Sequence, residues 1–143
     1  MQREKRVMIE WECQQLLNKV VTYTDSHCWQ TLADCYTEEA VLFRPSDPDK
    51  GIVGKKDIYA SFIARPPRAT CHMLANCVFE VVSETSVKAT SRVWLIAGDV
   101  AEKLPVEADK RILIGSFADE LVYQNGCWLI AQRKGGIELK HTA

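Results

Sequence analysis

The segment TCHMLANCVFEVVS, residues 70–83, decides the fold, because it has the spacing and composition of one long β-strand. Side chains alternate between the two faces of a strand, so His72 and Asn76 are predicted to share one face. Asn125-Gly126 predicts a tight hairpin turn between two further strands. The other runs of alternating side chains lie at residues 85–97, 111–123 and 127–136.

The first half of the chain has helical periodicity instead. Residues 5–24 carry apolar side chains at intervals of three and four, which predicts one long amphipathic helix. A second helix over residues 29–36, a short strand at 40–44 and a short helix at 54–63 follow. Helices followed by long strands predict the α+β class, with a curved antiparallel sheet wrapped around the N-terminal helices as a cone-shaped barrel. We expect residues 1–143 to form a single domain whose open end is a ligand pocket.

Charge and composition exclude several classes of function. The chain has 18 Lys and Arg residues and 19 Asp and Glu residues, so no excess of one sign attracts nucleic acid or an anionic membrane. No apolar run is long enough to span a membrane, and the N-terminus lacks the pattern of a signal peptide, so we predict a cytoplasmic protein. The six cysteines lack metal-ligand spacing, which predicts no metal site.

Three polar residues stand out as candidates for chemistry. His72 interrupts an apolar strand, and a buried imidazole needs a hydrogen-bond partner. Asp25 is the candidate partner, and Arg133 is a cation in the last strand. Each residue also has a structural interpretation: His72 as a hydrogen-bonded core residue, Asp25 as a helix cap and Arg133 as an outward-facing arginine.

Four motifs carry a resemblance to a known family. They are Tyr23-x-Asp25, Gly54-Lys-Lys-Asp-Ile, His72-x-x-x-Asn76 and Gly115-Ser-Phe-Ala-Asp-Glu with Asn-Gly-x-Trp128. Together they resemble the SnoaL-like family of the nuclear-transport-factor-type cone fold, over roughly residues 9–136. Within that family the chain looks most like hexachlorocyclohexane dehydrochlorinase and scytalone dehydratase.

The resemblance implies a site. Asp25 and His72 fall where those enzymes have a catalytic aspartate–histidine dyad, and Arg133 falls near the leaving group. Val20 stands where the dehydrochlorinase has a pocket lysine. This difference indicates that the substrate is not that of the dehydrochlorinase. The residues expected to bind substrate are Tyr23, Phe43, Asn76, Val93, Leu95 and Ile114.

These implications predict a lyase or isomerase without a cofactor. His72 would remove a proton from a small, largely apolar, cyclic substrate, and an elimination of the dehydratase or dehydrohalogenase type would follow. Two alternatives remain open: a small-molecule-binding module without turnover, and the small, beta-type subunit of a ring-hydroxylating dioxygenase. Apolar residues on both faces of residues 70–83 predict a homo-oligomer, for which the resemblance favours a trimer over a dimer.

Overall fold

The computed structural model describes residues 1–143 and shows three helices packed against one six-stranded sheet. The strand order is β2-β1-β6-β5-β4-β3, and the sheet does not close. This arrangement confirms the predicted α+β cone class. None of the helices is long and apolar enough to cross a membrane. The elements are α1 (Arg3–Asp25), α2 (Trp29–Ala33), β1 (Tyr36–Phe43), β2 (Gly51–Val53), α3 (Lys55–Ile63), β3 (Ala69–Ser83), β4 (Ser86–Gly98), β5 (Ala108–Gln124) and β6 (Cys127–Thr142).

The sheet is mixed, whereas the sequence predicted an antiparallel one. Strands β3 to β6 form antiparallel neighbours, but β1 pairs with β6 in parallel. A parallel pair cannot be joined by a tight turn, and here most of the chain separates the two strands. β1 is also longer than predicted, since Tyr36 begins this strand rather than ending α2.

Helix α1 fills the inner face of the sheet and packs against β3 and β6. Its buried residues recur at helical spacing and join one hydrophobic core with the helices α2 and α3 and the inner sides of the strands. Because α1 ends at Asp25, the carboxylate of this residue reaches β3. The buried residues of α1 are Ile9, Cys13, Leu16, Leu17 and Val20.

A β-bulge at Asn76 changes which residues of β3 face inward. Asn76 has a φ of 53°, and the pairing with β4 shifts between Ala75 and Val78. An extra residue in one strand moves every later side chain to the opposite face, and asparagine tolerates the left-handed conformation better than most residues. Asn76 is therefore exposed and does not share the face of His72, contrary to the strict alternation expected from the sequence.

Candidate active site

The inner face of the sheet and the helices enclose a cavity of about 230 Å³. Eleven of its 19 lining residues are hydrophobic, and they come from α1, α2, α3 and the strands β1, β4, β5 and β6. The apolar wall includes Val20, Leu32, Leu42, Phe62, Val93, Leu95, Leu113 and Ile137. The ionisable lining residues are Arg44, Arg65, His72 and Arg133, together with the phenol Tyr36.

At one side of the cavity, the end of α1 is joined to β3 by three hydrogen bonds to Asp25. His72 Nδ1 lies 2.6 Å from Asp25 Oδ1, and the backbone N–H of His72 donates to Oδ2 at 2.8 Å. The hydroxyl of Thr70 donates to Oδ1 at 2.9 Å. Asp25 therefore binds the strand and is not the cap of α2, whose N-cap residue is Cys28.

These contacts define the charge of Asp25 and the tautomer of His72. Burial alone would raise the pKa of Asp25, but the hydrogen bonds from His72 and Thr70 outweigh it and hold the pKa below its usual value of 3.8. An ionised Asp25 accepts from Nδ1–H, which leaves Nε2 of His72 as the unprotonated nitrogen of the neutral ring. The imidazole lines the cavity, so an oriented ring nitrogen stands beside apolar walls.

Arg133 lies deeper and is held by Asp119, a residue that the sequence did not single out. Nε and Nη2 of Arg133 donate to the two carboxylate oxygens of Asp119 at 2.7 and 3.0 Å. Both side chains are buried, and the guanidinium carbon lies 3.9 Å from the centre of the Phe117 ring. Burial alone would lower the pKa of Arg133, but the charge and hydrogen bonds of Asp119 raise it above its usual value. Arg133 is thus a fixed N–H donor whose charge is balanced.

Arg44 and Arg65 also line the cavity, and sequence reasoning missed both. Nε of each is buried and has no hydrogen-bond partner within the chain. Burial lowers the pKa of Arg65 to about 10, with a further contribution from Arg44 that Tyr36 partly opposes. Burial likewise lowers the pKa of Arg44, against an opposing effect of Asp47. No periodicity marks these residues, because each lies just beyond the end of an element, Arg44 after β1 and Arg65 after α3.

The structure places part of the predicted apolar wall at the cavity. Val93 and Leu95 of β4 line the cavity, as expected. Ile114 does not, because it pairs with Trp94 on the outer face of the sheet. Its neighbour Leu113 pairs with Leu95 and takes the place expected of Ile114.

The other predicted binding residues do not line the cavity. Phe43 lies on the outer side of β1, where Nζ of Lys134 is 5.6 Å from its ring centre. Tyr23 packs against the hydrophobic core instead. Asn76 lies outside the cavity because of the bulge.

The chemistry available here is proton transfer and stabilisation of negative charge. One imidazole is oriented by a carboxylate, and three arginines line the same space. No three His, Cys, Asp or Glu side chains come close enough to hold a metal ion together. General-base catalysis followed by stabilisation of a developing anion requires an oriented imidazole and arginine side chains, and both are present here.

Comparison with known proteins identifies the family. The SnoaL-like domain family matches residues 5–134. The chain belongs to the SnoaL-like family. No curated protein matches the sequence.

Several solved structures superimpose over nearly the whole chain. A provisional scytalone dehydratase from Novosphingobium aromaticivorans has a TM-score of 0.84 at 19% identity, covering 99% of this chain and 92% of its own. Hexachlorocyclohexane dehydrochlorinase LinA-type3 from Novosphingobium barchaimii has a TM-score of 0.81 at 14% identity, covering 99% and 94%. ActVI-ORFA from Streptomyces coelicolor has a TM-score of 0.74 at 17% identity, covering 91% and 98%. At such identities the likeness establishes the fold alone.

Proposed function

We propose that this SnoaL-like protein is a cofactor-free lyase that uses the Asp25–His72 pair as its base. The observation that carries the proposal is the 2.6 Å contact between Asp25 and His72 Nδ1 at the wall of an apolar cavity. A carboxylate in this position fixes the tautomer and leaves the other nitrogen free to accept a proton. The names of two structural relatives, a dehydratase and a dehydrochlorinase, support an elimination reaction.

The proposed reaction is a β-elimination from a small, largely apolar ring. Nε2 of His72 takes a proton from carbon, the electron pair of that C–H bond forms a carbon–carbon double bond, and the leaving group departs from the next carbon with its own electron pair. Arg133 contributes an N–H donor toward the leaving group, since Asp119 occupies only Nε and Nη2. A positioned base contributes roughly 10²–10⁴-fold to such a rate.

The test is turnover of hydroxylated and halogenated cyclic compounds by the unmodified protein and by His72→Asn. We expect the variant to lose about 10²–10⁴-fold in kcat, because the base is removed while the cavity remains. His141→Asn is the matched control, since His141 is exposed near the end of β6. Equal turnover by His72→Asn and the unmodified protein would refute the proposal. Ligand binding with no turnover by either would favour a binding module, which the same cavity also suits.

We further propose a homo-oligomer, with a trimer favoured over a dimer, assembled through the outer face of the sheet. Met73, Trp94, Ile114 and Leu139 pair in one row across four strands, and the exposed fractions of Met73, Trp94 and Leu139 are 62%, 48% and 58%. A row of exposed apolar side chains on adjacent strands is typical of an interface. Sedimentation equilibrium should give a multiple of 16.2 kDa, and a monomer mass would refute the proposal. A single domain over residues 1–143 and a cytoplasmic location remain predictions.

A further inference from the structure

Arg44 and Arg65 stand where the cavity opens into a second concave region. That region, here called the vestibule, is lined by residues that include Thr24, His27, Trp29 and Arg68. Arg44, Arg65 and His72 line both the cavity and the vestibule. The two arginines and the proposed base therefore border the same two spaces.

The arginines around this site differ in whether a carboxylate balances their charge. Arg133 is bound by Asp119, and Arg68 is bound by Asp99 and Asp109. Arg44 and Arg65 form no ion pair with any carboxylate of the chain, since Asp47 acts on Arg44 only from beyond ion-pair distance, and the buried Nε of each has no partner. Leaving a buried guanidinium donor without an acceptor is costly, so the arrangement calls for an acceptor from outside the chain.

Aromatic rings hold Arg65 in place without using its hydrogen-bond donors. The guanidinium carbon lies 5.2 Å from the centre of the Phe62 ring and 5.9 Å from that of Trp29. Contact with ring faces leaves the in-plane N–H groups of a guanidinium available for an anion. With a pKa of about 10, Arg65 remains charged at neutral pH, despite the burial and the neighbouring Arg44.

We propose that Arg44 and Arg65 form an anion subsite at the opening of the cavity, and that the substrate is a small apolar ring carrying a carboxylate or another oxygen group ionised at neutral pH. The inference rests on the proposed function in one respect, namely that the cavity holds the substrate. The ring occupies the apolar wall and the anionic group meets the two arginines, which orients the ring relative to His72. A cavity of about 150 Å³ suffices for benzene, so about 230 Å³ accepts one substituted ring.

The test compares two ligands of nearly equal shape, cyclohexanecarboxylate and cyclohexanecarboxamide, by calorimetric titration at fixed ionic strength. We expect the carboxylate to bind about 10- to 100-fold more tightly, since it makes charge-assisted hydrogen bonds that the amide cannot make. The Nε–H signals of Arg44 and Arg65 should shift with the carboxylate in ¹⁵N NMR. This second measurement needs no substitution and so does not depend on how a variant folds.

Substitutions then assign the preference to the two arginines. Arg44→Gln and Arg65→Gln should each reduce the preference for the carboxylate by about tenfold, and Arg65→Lys should keep part of it. Arg68→Gln is the matched control, because Arg68 lines the vestibule but already has carboxylate partners. Equal binding of both ligands, no binding of the carboxylate at millimolar concentration, or an equal loss of preference in Arg68→Gln would overturn the inference.

The same ligands separate this inference from the proposed function. His72→Asn should keep the preference for the carboxylate, because the subsite does not include the imidazole. A preference that persists while no cyclic acid is turned over would refute the lyase and leave the anion subsite standing. Turnover of neutral rings, together with equal binding of the carboxylate and the amide, would support the lyase and refute the anion subsite.

Discussion

Two carboxylates of this protein, Asp25 and Asp119, each bind a nitrogen-bearing side chain, and the two pairs differ in nearly every physical respect. Asp25 and His72 are 24% and 17% exposed in their side chains and meet through one ring nitrogen. Asp119 and Arg133 are 0% and 4% exposed and meet through two parallel hydrogen bonds. The first pair joins a helix end to a strand, whereas the second joins neighbouring strands of one sheet.

The difference shows which pair can accept a proton. His72 keeps one ring nitrogen outside the contact with Asp25, so the half-buried pair can accept a proton. Arginine stays charged at every accessible pH, and two of its nitrogens are bound to Asp119. The buried pair therefore holds the N–H donor of Arg133 in place at the cavity, and the half-buried pair supplies the proposed base.

The largest effect expected from this comparison is on stability, from Asp119→Asn. This substitution leaves a buried guanidinium without a countercharge, so the free energy of unfolding should fall by about 3–5 kcal/mol. Urea denaturation monitored by circular dichroism measures it. Asp109→Asn is the control, since its exposed pair with Arg68 should contribute less than about 1 kcal/mol.

The double variant Asp119→Leu with Arg133→Met sharpens the same comparison. Removing both charges leaves nothing unpaired, so most of the lost stability should return. Equal stability of Asp119→Asn and the unmodified protein, or a double variant as unstable as Asp119→Asn, would contradict the view that an unpaired buried charge is the cause.

Sequence reasoning named both Asp25 and His72 of the half-buried pair, but only Arg133 of the buried pair. Strand register explains why it missed Asp119. His72 stood out because a polar ring interrupts an apolar strand, and Asp25 was its candidate partner, in agreement with the resemblance to the SnoaL-like family. Counting back from the Asn125-Gly126 turn would place Asp119 opposite Gln132. A register shift between Glu120 and Leu121 instead places it opposite Arg133. A bulge depends on packing across the whole sheet, which a local pattern does not contain.

The same limit explains the misplaced pocket residues. Alternation within a strand predicts the facing of side chains correctly unless the strand contains a bulge or the first inward-facing residue is misassigned. An error of one residue places a side chain on the opposite face. Phe43 and Ile114 lie one position away from residues that line the cavity, and Asn76 is itself the bulge. By contrast, the class of fold depends on the order of helical and alternating segments, which such errors do not alter.

A smaller loss of stability is expected from Asp25→Asn. The dependence of this loss on pH distinguishes the half-buried pair from the buried one. At pH 7 the variant should lose about 1.5–3 kcal/mol of unfolding free energy, because hydrogen bonds to a charged carboxylate become bonds to a neutral amide. The pKa of Asp25 is lower in the folded protein than its usual value of 3.8. The carboxylate therefore stabilises the fold above that value, and this contribution disappears as the pH falls through the folded pKa.

Urea denaturation from pH 7 down to about pH 2.5 should consequently show the unmodified protein and Asp25→Asn converging below the usual carboxyl pKa. Thr70→Val removes one of the three bonds to Asp25 and should show a smaller loss of about 0.5–1.5 kcal/mol with the same trend. In ¹⁵N spectra, neutral His72 should carry its proton on Nδ1, and Asp25→Asn should shift the population toward Nε2–H. A stability difference that stays constant over this range, with an unchanged tautomer, would mean that Asp25 acts only as a neutral hydrogen-bond acceptor and does not orient a base.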